Sequence, residues 1–155
     1  MDTYTESLRR LMLATSKIDG AYYFFARRMG VNENAMAFYY ALADGKPHTQ
    51  KAICDEMLIP RTTINSIVKA ALAQGYITIS PRQNSKEKDI VLTASGQIYA
   101  DAMVKQIYKA EEQAIQETLR HFSPEFITAI EYFSQRLCLE LQSIQNKEDH
   151  SHEQL

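Results

Sequence analysis

Residues Thr49 to Gly75, TQKAICDEMLIPRTTINSIVKAALAQG, predict two short helices joined by a tight turn. Thr49 can cap the first helix, because its hydroxyl can accept a hydrogen bond from a free first-turn N–H. Pro60 ends that helix, since proline lacks an N–H and disfavours helix in the residue before it, and it suits the first turn of a new helix. We expect the second helix to end near Gln74, with Gly75 as its left-handed cap.

Each of the two predicted helices has an apolar stripe at helical spacing. The stripe of the first helix consists of Ala52, Ile53, Met57 and Leu58. The stripe of the second consists of Ile64, Ile67, Val68, Ala71 and Leu72. The opposite face of the second helix has no carboxylate and carries Arg61, Thr62, Thr63, Asn65, Ser66 and Lys69. These side chains can bond base edges, contact thymine methyl groups and hold phosphates, although an ordinary solvated face can have the same composition.

Two β-prone segments follow, residues 76–80 (YITIS) and 90–92 (IVL), separated by a polar and mostly basic loop. Two helices joined by a turn and followed by a basic hairpin form the pattern of a winged helix-turn-helix. In the hairpin we expect DNA contacts from Arg82, Asn84, Lys86 and Lys88. At the start of the first helix we expect them from Thr49, Gln50 and Lys51. A plain solvated turn is the alternative for the hairpin.

The order of these elements resembles that of the MarR family of dimeric winged-helix transcription regulators. The stretches that carry the resemblance are Leu58-Ile59 through Thr63-Ile64, Gln74-Gly75-Tyr76-Ile77 and Leu92-Thr93-Ala94-Ser95-Gly96. The last is similar to the Leu-Thr-x-x-Gly junction of the family. The resemblance extends from about Tyr4 to Ile144 and rests on order and spacing.

The hairpin departs from the family pattern. The family usually has Asp-x-Arg about eight residues before the Leu-Thr, where this chain has Asn84-Ser85-Lys86. Lysine keeps the positive charge but cannot make the planar, two-pronged contact of arginine. Ala71 and Leu72 also depart, since the family more often has Leu and then a polar residue there.

The net charge of −2 is unevenly distributed. Residues 46–88 contain seven basic and three acidic residues, which gives +4, and the remainder has ten basic and sixteen acidic residues, which gives −6. A basic segment in an acidic chain is typical of an electrostatic footprint for DNA. Without a long apolar run, a secretory signal or a disulfide framework from Cys54 and Cys138, the sequence favours a cytoplasmic protein.

Four further helices are predicted before and after the helix pair and its hairpin. They begin at Thr3 with a capping box to Glu6, at Asn32, at Thr93, and at Ser123 with Pro124 in first position. The predicted buried side of the third consists of Ile98, Ala102, Ile107, Ala110, Ala114, Ile115 and Leu119. The stripe of the fourth consists of Phe126, Ile127, Ile130, Phe133, Leu137, Leu141 and Ile144.

The first and last helices carry more apolar side chains than local packing can cover, which predicts a homodimer interface. The fold class is therefore mainly α with a small β-hairpin wing, a winged helix-turn-helix with N- and C-terminal dimerisation helices. We expect residues 1–30 and 94–146 to form the dimerisation region, residues 31–93 the DNA-binding lobe, and residues 147–155 a polar tail. A two-fold dimer would prefer a pseudo-palindromic double-stranded operator.

The sequence has no motif of an enzyme: no Gly-rich phosphate loop, no His-Glu-x-x-His, no nucleophile elbow and no Cys-x-x-Cys. We therefore expect no catalytic residue and no cofactor. His150 and His152, with Asp149 and Glu153, have metal-binding side chains, but a polar tail more often carries such residues incidentally. We expect no metal site, and we expect Cys54 to be a small core residue.

Aromatic residues are dense in the first two helices, and the family resemblance implies a phenolic or other aromatic ligand between the dimer helices and the DNA-binding lobes. Candidate contacts are Tyr22, Tyr23, Arg27, Phe38 and Tyr39. A simple aromatic core is the alternative. The sequence thus predicts a homodimeric, sequence-specific DNA-binding regulator, a repressor released by a small aromatic ligand. The competing hypothesis is a winged-helix protein-interaction module without specific DNA binding.

Overall fold

The computed structural model of the chain describes residues 3–152, and side chains over residues 4–144. The helices are α1 Thr3–Arg28, α2 Glu33–Leu42, α3 Gln50–Met57, α4 Arg61–Ala73, α5 Ala94–Leu119 and α6 Glu125–His152. The strands are β1 His48–Thr49, β2 Ile77–Pro81 and β3 Lys88–Leu92. The chain forms two compact units, Met1–Tyr108 and Lys109–Leu155. This mainly helical fold with a small antiparallel sheet confirms the predicted fold class.

The two helices of the central stretch begin and end close to where the sequence places them. Thr49 caps α3, its Oγ1 accepting a hydrogen bond from the N–H of Ala52 at 3.1 Å. Pro60 stands just before α4 as its N-cap and not inside its first turn. Gly75 has φ +70°, and the N–H of Tyr76 donates to the carbonyl of Ala71 at 2.9 Å, which completes the left-handed C-terminal cap.

The turn between α3 and α4 contains an unexpected backbone conformation. Leu58 ends α3 with φ 51° and ψ 35°, in the left-handed region that L-residues rarely occupy. Its side chain is 79% exposed, so the expectation that Leu58 belongs to the buried stripe of α3 was wrong. The left-handed turn directs Leu58 outward and places Ile59, which is 3% exposed, in the core instead.

The sheet has three strands in the order β1-β3-β2, all antiparallel. The wing strands pair from Ile77 with Leu92 to Pro81 with Lys88. The sequence did not predict β1, where His48 and Thr49 pair with Ile90 and Asp89. These two residues tie the start of α3 to the wing.

The core of the first unit is formed by α2, α3, α4, the sheet and the first half of α5. Phe38, Leu42, Ile53, Ile64 and Ile90 are its largest fully buried side chains, together with Val104. On α5 the buried positions are Gly96, Ala100, Met103, Val104 and Ile107. Of the predicted stripe in this part of α5, only Ile107 is buried. Ile98 and Ala102 are exposed, because the helix turns an adjacent stripe toward the core.

A close backbone contact joins the end of α4 to the start of α5. The Oγ1 of Thr93 donates to the carbonyl of Gly75 at 2.7 Å. The N–H of Thr93 donates to the carbonyl of Tyr76 at 2.9 Å. A Cβ at Gly96 would lie 1.8 Å from the Tyr76 carbonyl oxygen. Thr93 also caps α5 by accepting the N–H of Gly96 at 3.0 Å, as predicted. This contact, called the α4–α5 joint below, gives the Leu-Thr-x-x-Gly stretch its physical role.

The second unit contains the end of α5 and α6. The Oγ of Ser123 accepts the N–H of Glu125 at 3.3 Å, which bears out its predicted capping role. Helix α6 continues to His152, through most of the segment predicted as a polar tail. Side chains are described only over residues 4–144, so the cap predicted at Thr3 and the side chains of His150 and His152 lie outside them. Within residues 3–152 no helix is both long and apolar enough to cross a membrane.

Candidate nucleic-acid interface

The exposed face of α4 carries the predicted base-contacting residues. Arg61, Asn65 and Lys69 are all exposed and follow one another at intervals of four residues, so they form one row along the helix. Thr62 and Ser66 are exposed beside this row, and the Ser66 hydroxyl donates to the Thr62 carbonyl at 3.3 Å. The sixth predicted residue of this face, Thr63, is partly buried. The face has no carboxylate, and Ile64, Val68 and Ala71 on the opposite side are buried.

A hydrogen bond from α3 reaches the middle of this row. The Nε2 of Gln50 donates to the Oδ1 of Asn65 at 2.5 Å, across the turn between the two helices. Gln50 is the first residue of α3, and β1 and the Thr49 cap fix where that helix begins. No local sequence pattern indicates this contact, because the two residues are fifteen positions apart.

The start of α3 has mixed roles. Thr49 is 3% exposed and its hydroxyl is engaged in the helix cap, so its predicted contact with DNA is corrected to a structural one. Lys51 is exposed and pairs with Asp55 at 2.9 Å, and the hydrogen bond to that carboxylate raises the pKa of the Lys51 ammonium. One acidic neighbour therefore partly offsets this lysine.

The tip of the wing is a tight hairpin. The N–H of Arg82 donates to the Glu87 carbonyl at 3.2 Å, and the N–H of Ser85 donates to the Arg82 carbonyl at 3.4 Å. Asn84 has φ 57°, a left-handed conformation that Asn tolerates better than most residues. The four DNA contacts predicted in the hairpin are all exposed here: Arg82, Asn84, Lys86 and Lys88.

Arg82 has a charged neighbour on the opposite strand. Its Nη1 lies 3.8 Å from the Oδ1 of Asp89, and this oxygen is buried without a hydrogen-bond partner among the described residues. The guanidinium is about half exposed, so it retains donors that point to solvent. An Asp–Arg pair thus exists in this wing, formed across the hairpin. Sequence reasoning missed Asp89, although the pairing of Ser80 with Asp89 follows from the hairpin register.

A shallow cleft brings the start of α3 and the wing together. Its walls are Thr49, Gln50 and Lys51 on one side and Ile79, Lys86, Glu87, Lys88 and Ile90 on the other. Three lysines and one carboxylate, that of Glu87, therefore line a cleft with net positive charge at the N-terminus of α3. The first N–H groups of a helix have no intrahelical acceptors, and here Thr49 satisfies the N–H of Ala52. The positive end of the helix dipole and these ammonium groups favour an anionic group over the cleft.

The structure divides the predicted aromatic-ligand residues into two places. Phe38 is fully buried and Tyr39 is 4% exposed, whereas Tyr22, Tyr23 and Arg27 are exposed on α1. Arg27 donates to the Tyr23 hydroxyl at 3.3 Å and lies 5.7 Å from its ring centroid. The predicted ligand contacts therefore do not form one continuous surface.

Tyr39 belongs to a buried aromatic cluster. Its ring lies 5.0 Å from that of Tyr99 and 6.4 Å from that of Tyr76, and the last two rings stack at 4.5 Å. Burial raises the pKa of the Tyr39 hydroxyl to about 12, with smaller contributions from Tyr99 and Tyr76. The cluster joins α2, α5 and the α4–α5 joint, so Tyr39 is a core residue.

The helix pair, the three-stranded sheet and the basic hairpin define a winged helix-turn-helix protein. The model of the MarR family matches residues 30–86, which include α2, both helices of the turn and most of the wing. Over these residues the chain is similar to the MarR family. The family resemblance noted in the sequence is thereby confirmed.

Solved structures agree with this fold. A MarR family regulator from Neisseria meningitidis, NMB1585, has a TM-score of 0.71 at 19% identity, covering 91% of this chain and 98% of its own. NadR in complex with 4-hydroxyphenylacetate has a TM-score of 0.63 at 15% identity, covering 82% and 88%. Overoxidized AbfR bound to DNA has a TM-score of 0.56 at 16% identity, covering 86% and 94%. The comparison with curated proteins gave no match.

Proposed function

We propose that the chain is a cytoplasmic, homodimeric, sequence-specific DNA-binding transcriptional regulator. The observation that carries this proposal is the exposed, carboxylate-free face of α4, with Arg61, Asn65 and Lys69 in one row. A helix of this kind fits the major groove, where Arg and Asn can bond base edges. The complex of AbfR with DNA, a structure of the same fold, adds support.

In this proposal the cleft beside α3 holds the DNA backbone. A phosphate over the start of α3 would have Lys51, Lys86 and Lys88 around it. Such contacts fix the orientation of the protein and give salt-dependent affinity without sequence preference. Arg82, supported by Asp89, would approach the adjacent minor groove from the wing tip.

Exposed apolar side chains support the homodimer. On α1, Leu13, Ile18 and Phe24 are 54%, 56% and 68% exposed in the single chain. On α6, the exposed apolar residues are Ile127, Ile130, Tyr132, Leu137, Leu139, Leu141 and Ile144. Surfaces of this kind are typical of obligate interfaces, and a second copy would cover them.

The regulatory output is proposed to be repression, released by a small aromatic ligand. NadR, which shares the fold, has been solved with 4-hydroxyphenylacetate. Tyr22, Tyr23 and Arg27 remain candidate contacts, since they are exposed and combine aromatic rings with a cation. Adding 4-hydroxyphenylacetate to the protein–DNA complex should release the DNA, and unchanged binding up to millimolar ligand would contradict this part.

Selection from a random duplex library tests the main proposal. The purified chain should enrich a two-fold symmetric sequence with half-sites about 34 Å, or one helical turn, apart. Asn65→Ala should relax the enriched sequence at one position in each half-site, whereas Lys86→Ala should weaken binding to all sequences about equally. No enrichment even at about 50 mM salt, where phosphate contacts are strongest, would favour the protein-interaction module.

A further inference from the structure

The hydrogen bond between Gln50 and Asn65 gives Asn65 a defined donor and acceptor order. A carboxamide has an acceptor oxygen and a donor nitrogen at nearly equal positions, so a free Asn side chain can exchange them by a half-turn. Gln50 donates to Oδ1 of Asn65 at 2.5 Å, and this favours one of the two orientations. Nδ2 of Asn65, with two donor hydrogens, then occupies the other side of the group.

We propose that Gln50 is a specificity-determining positioning residue, which sets the base preference of Asn65 through this hydrogen bond. The inference rests on the proposed function, because Asn65 must contact a base edge for its orientation to matter. Bases differ in the major groove by the order of their donors and acceptors, and Asn bonds adenine through N6 and N7 together. A half-turn of the amide would exchange these partners and change the preferred base.

The position of Gln50 suits this role. Asn65 lies in the middle of the row on α4, between Arg61 and Lys69, so it is well placed for a base contact. Gln50 projects from a different helix, whose start is fixed by the Thr49 cap and by the pairing of β1 with β3. The backbone from which Gln50 reaches Asn65 is therefore fixed independently of α4.

Three substitutions of Gln50 separate orientation from mere contact. Gln50→Lys keeps a donor facing Oδ1 of Asn65 and should keep the preferred base. Gln50→Glu offers only an acceptor, so Asn65 must turn its Nδ2 toward position 50, and the preferred base should change. Gln50→Ala removes the bond and should lower the preference at that base pair on the order of tenfold, within the range typical of coupled residues.

The experiment is selection from random duplexes with the full chain, its Gln50 variants, Asn65→Ala and the control Glu56→Ala, an exposed α3 position with no proposed DNA contact. The expected result is that Gln50→Ala and Asn65→Ala affect the same base pair non-additively, that Gln50→Glu selects a different base there, and that Glu56→Ala leaves the selected sequence unchanged. Circular dichroism of each variant establishes that it folds, and Gln50→Lys, with its preserved preference, shows that position 50 tolerates change.

Two outcomes separate failure of the inference from failure of the proposed function. If Asn65→Ala changes one base pair and no Gln50 variant changes it, the positioning role is overturned while specific DNA binding stands. If the wild-type chain enriches no sequence, or Asn65→Ala leaves the enriched sequence unaltered, base contact by Asn65 is wrong, and the inference fails with it.

Discussion

Leu58 occupies a conformation that glycine would adopt more easily. A left-handed backbone costs an L-residue about 1–2 kcal/mol, and Leu58 regains little from packing because its side chain is 79% exposed. The tight turn needs this conformation to direct Ile59 into the core and to start α4 at Arg61. The strain is therefore local and separable from the rest of the fold.

Leu58→Gly should stabilise the protein by about 0.5–1 kcal/mol, since glycine reaches this conformation without a steric penalty and loses part of that gain to chain entropy. Urea unfolding monitored by circular dichroism measures the change. Leu58→Ala, which keeps the steric penalty, is the matched control and should give no gain. A less stable Leu58→Gly would mean that the leucine side chain makes a stabilising contact.

The Tyr39 hydroxyl should make stability sensitive to alkaline pH. Its pKa is raised to about 12 from the ordinary 10.0, so the folded state favours the neutral phenol. This contribution is fully present below pH 10 and is lost as pH rises through about 12. Tyr39→Phe should lose less stability than the wild type between about pH 9 and about pH 11.5. Denaturant unfolding at both pH values checks this, and equal losses would contradict it.

Residue-level burial was only partly predictable from the sequence. Thr49 as a cap followed from local chemistry, because its partner Ala52 is three residues away. The Gln50–Asn65 bond and the burial of Tyr39 depend on elements brought together by folding. The ligand contacts predicted from the aromatic residues therefore lie partly in the core and partly on the surface.

At the scale of elements, the α4–α5 joint determines where α4 lies relative to the start of α5. Thr93 and Gly96 lie directly against the backbone of residues 75 and 76, and the rings of Tyr76, from the α4 side, and Tyr99, from α5, stack at 4.5 Å. A movement at the start of α5 would therefore be transmitted to the end of α4.

Two glycine substitutions test this joint against each other. Gly96→Ala should destabilise the protein by about 2 kcal/mol or more, because its Cβ would lie 1.8 Å from a backbone oxygen of Tyr76. Gly20→Ala, also inside a helix but at a position where the added Cβ would meet no atom within 4 Å beyond its own stretch of helix, should stabilise it by about 1 kcal/mol. Thermal unfolding of both variants measures the difference. A neutral Gly96→Ala would show that the joint is not tightly packed.

Elements with local signals were predicted well, and those set by distant contacts were not. Caps and glycines located α3, α4 and the start of α6 within a few residues. Strand β1 escaped prediction, because two residues have no periodicity and pair only with β3 after folding. The first part of the buried stripe of α5 was assigned two positions off, since Ile98 and Ala102 repeat at helical spacing just as Ala100 and Val104 do.

For the whole molecule, the excess of positive charge and the exposed apolar surface have separate locations in the sequence. Residues 46–88 have a net charge of +4, and the rest has −6. Helices α1 and α6 carry large exposed apolar side chains. An acidic remainder would repel DNA outside the basic lobe, so specific contacts become a larger fraction of binding.

Leu137→Glu should convert the proposed homodimer to a monomer, because it places a carboxylate on the exposed apolar face of α6 where a partner would desolvate it. Gln83→Glu adds the same charge at an exposed position of the wing, outside α1 and α6, and should leave the dimer intact. Analytical ultracentrifugation of the three proteins measures the mass. A wild-type chain that sediments as a monomer would contradict the dimer.

Fluorescence anisotropy tests the central claim, sequence-specific DNA binding through the exposed face of α4, most directly. The wild-type chain and Asn65→Ala are titrated into a duplex selected from the random library and into a scrambled duplex, at about 50 and 200 mM salt. We expect the wild type to bind the selected duplex at least about 1,000-fold more tightly than the scrambled one, and Asn65→Ala to lose about 1–3 kcal/mol of this difference. Equal affinity of the wild type for both duplexes, or a preference that Asn65→Ala leaves unchanged, would contradict it.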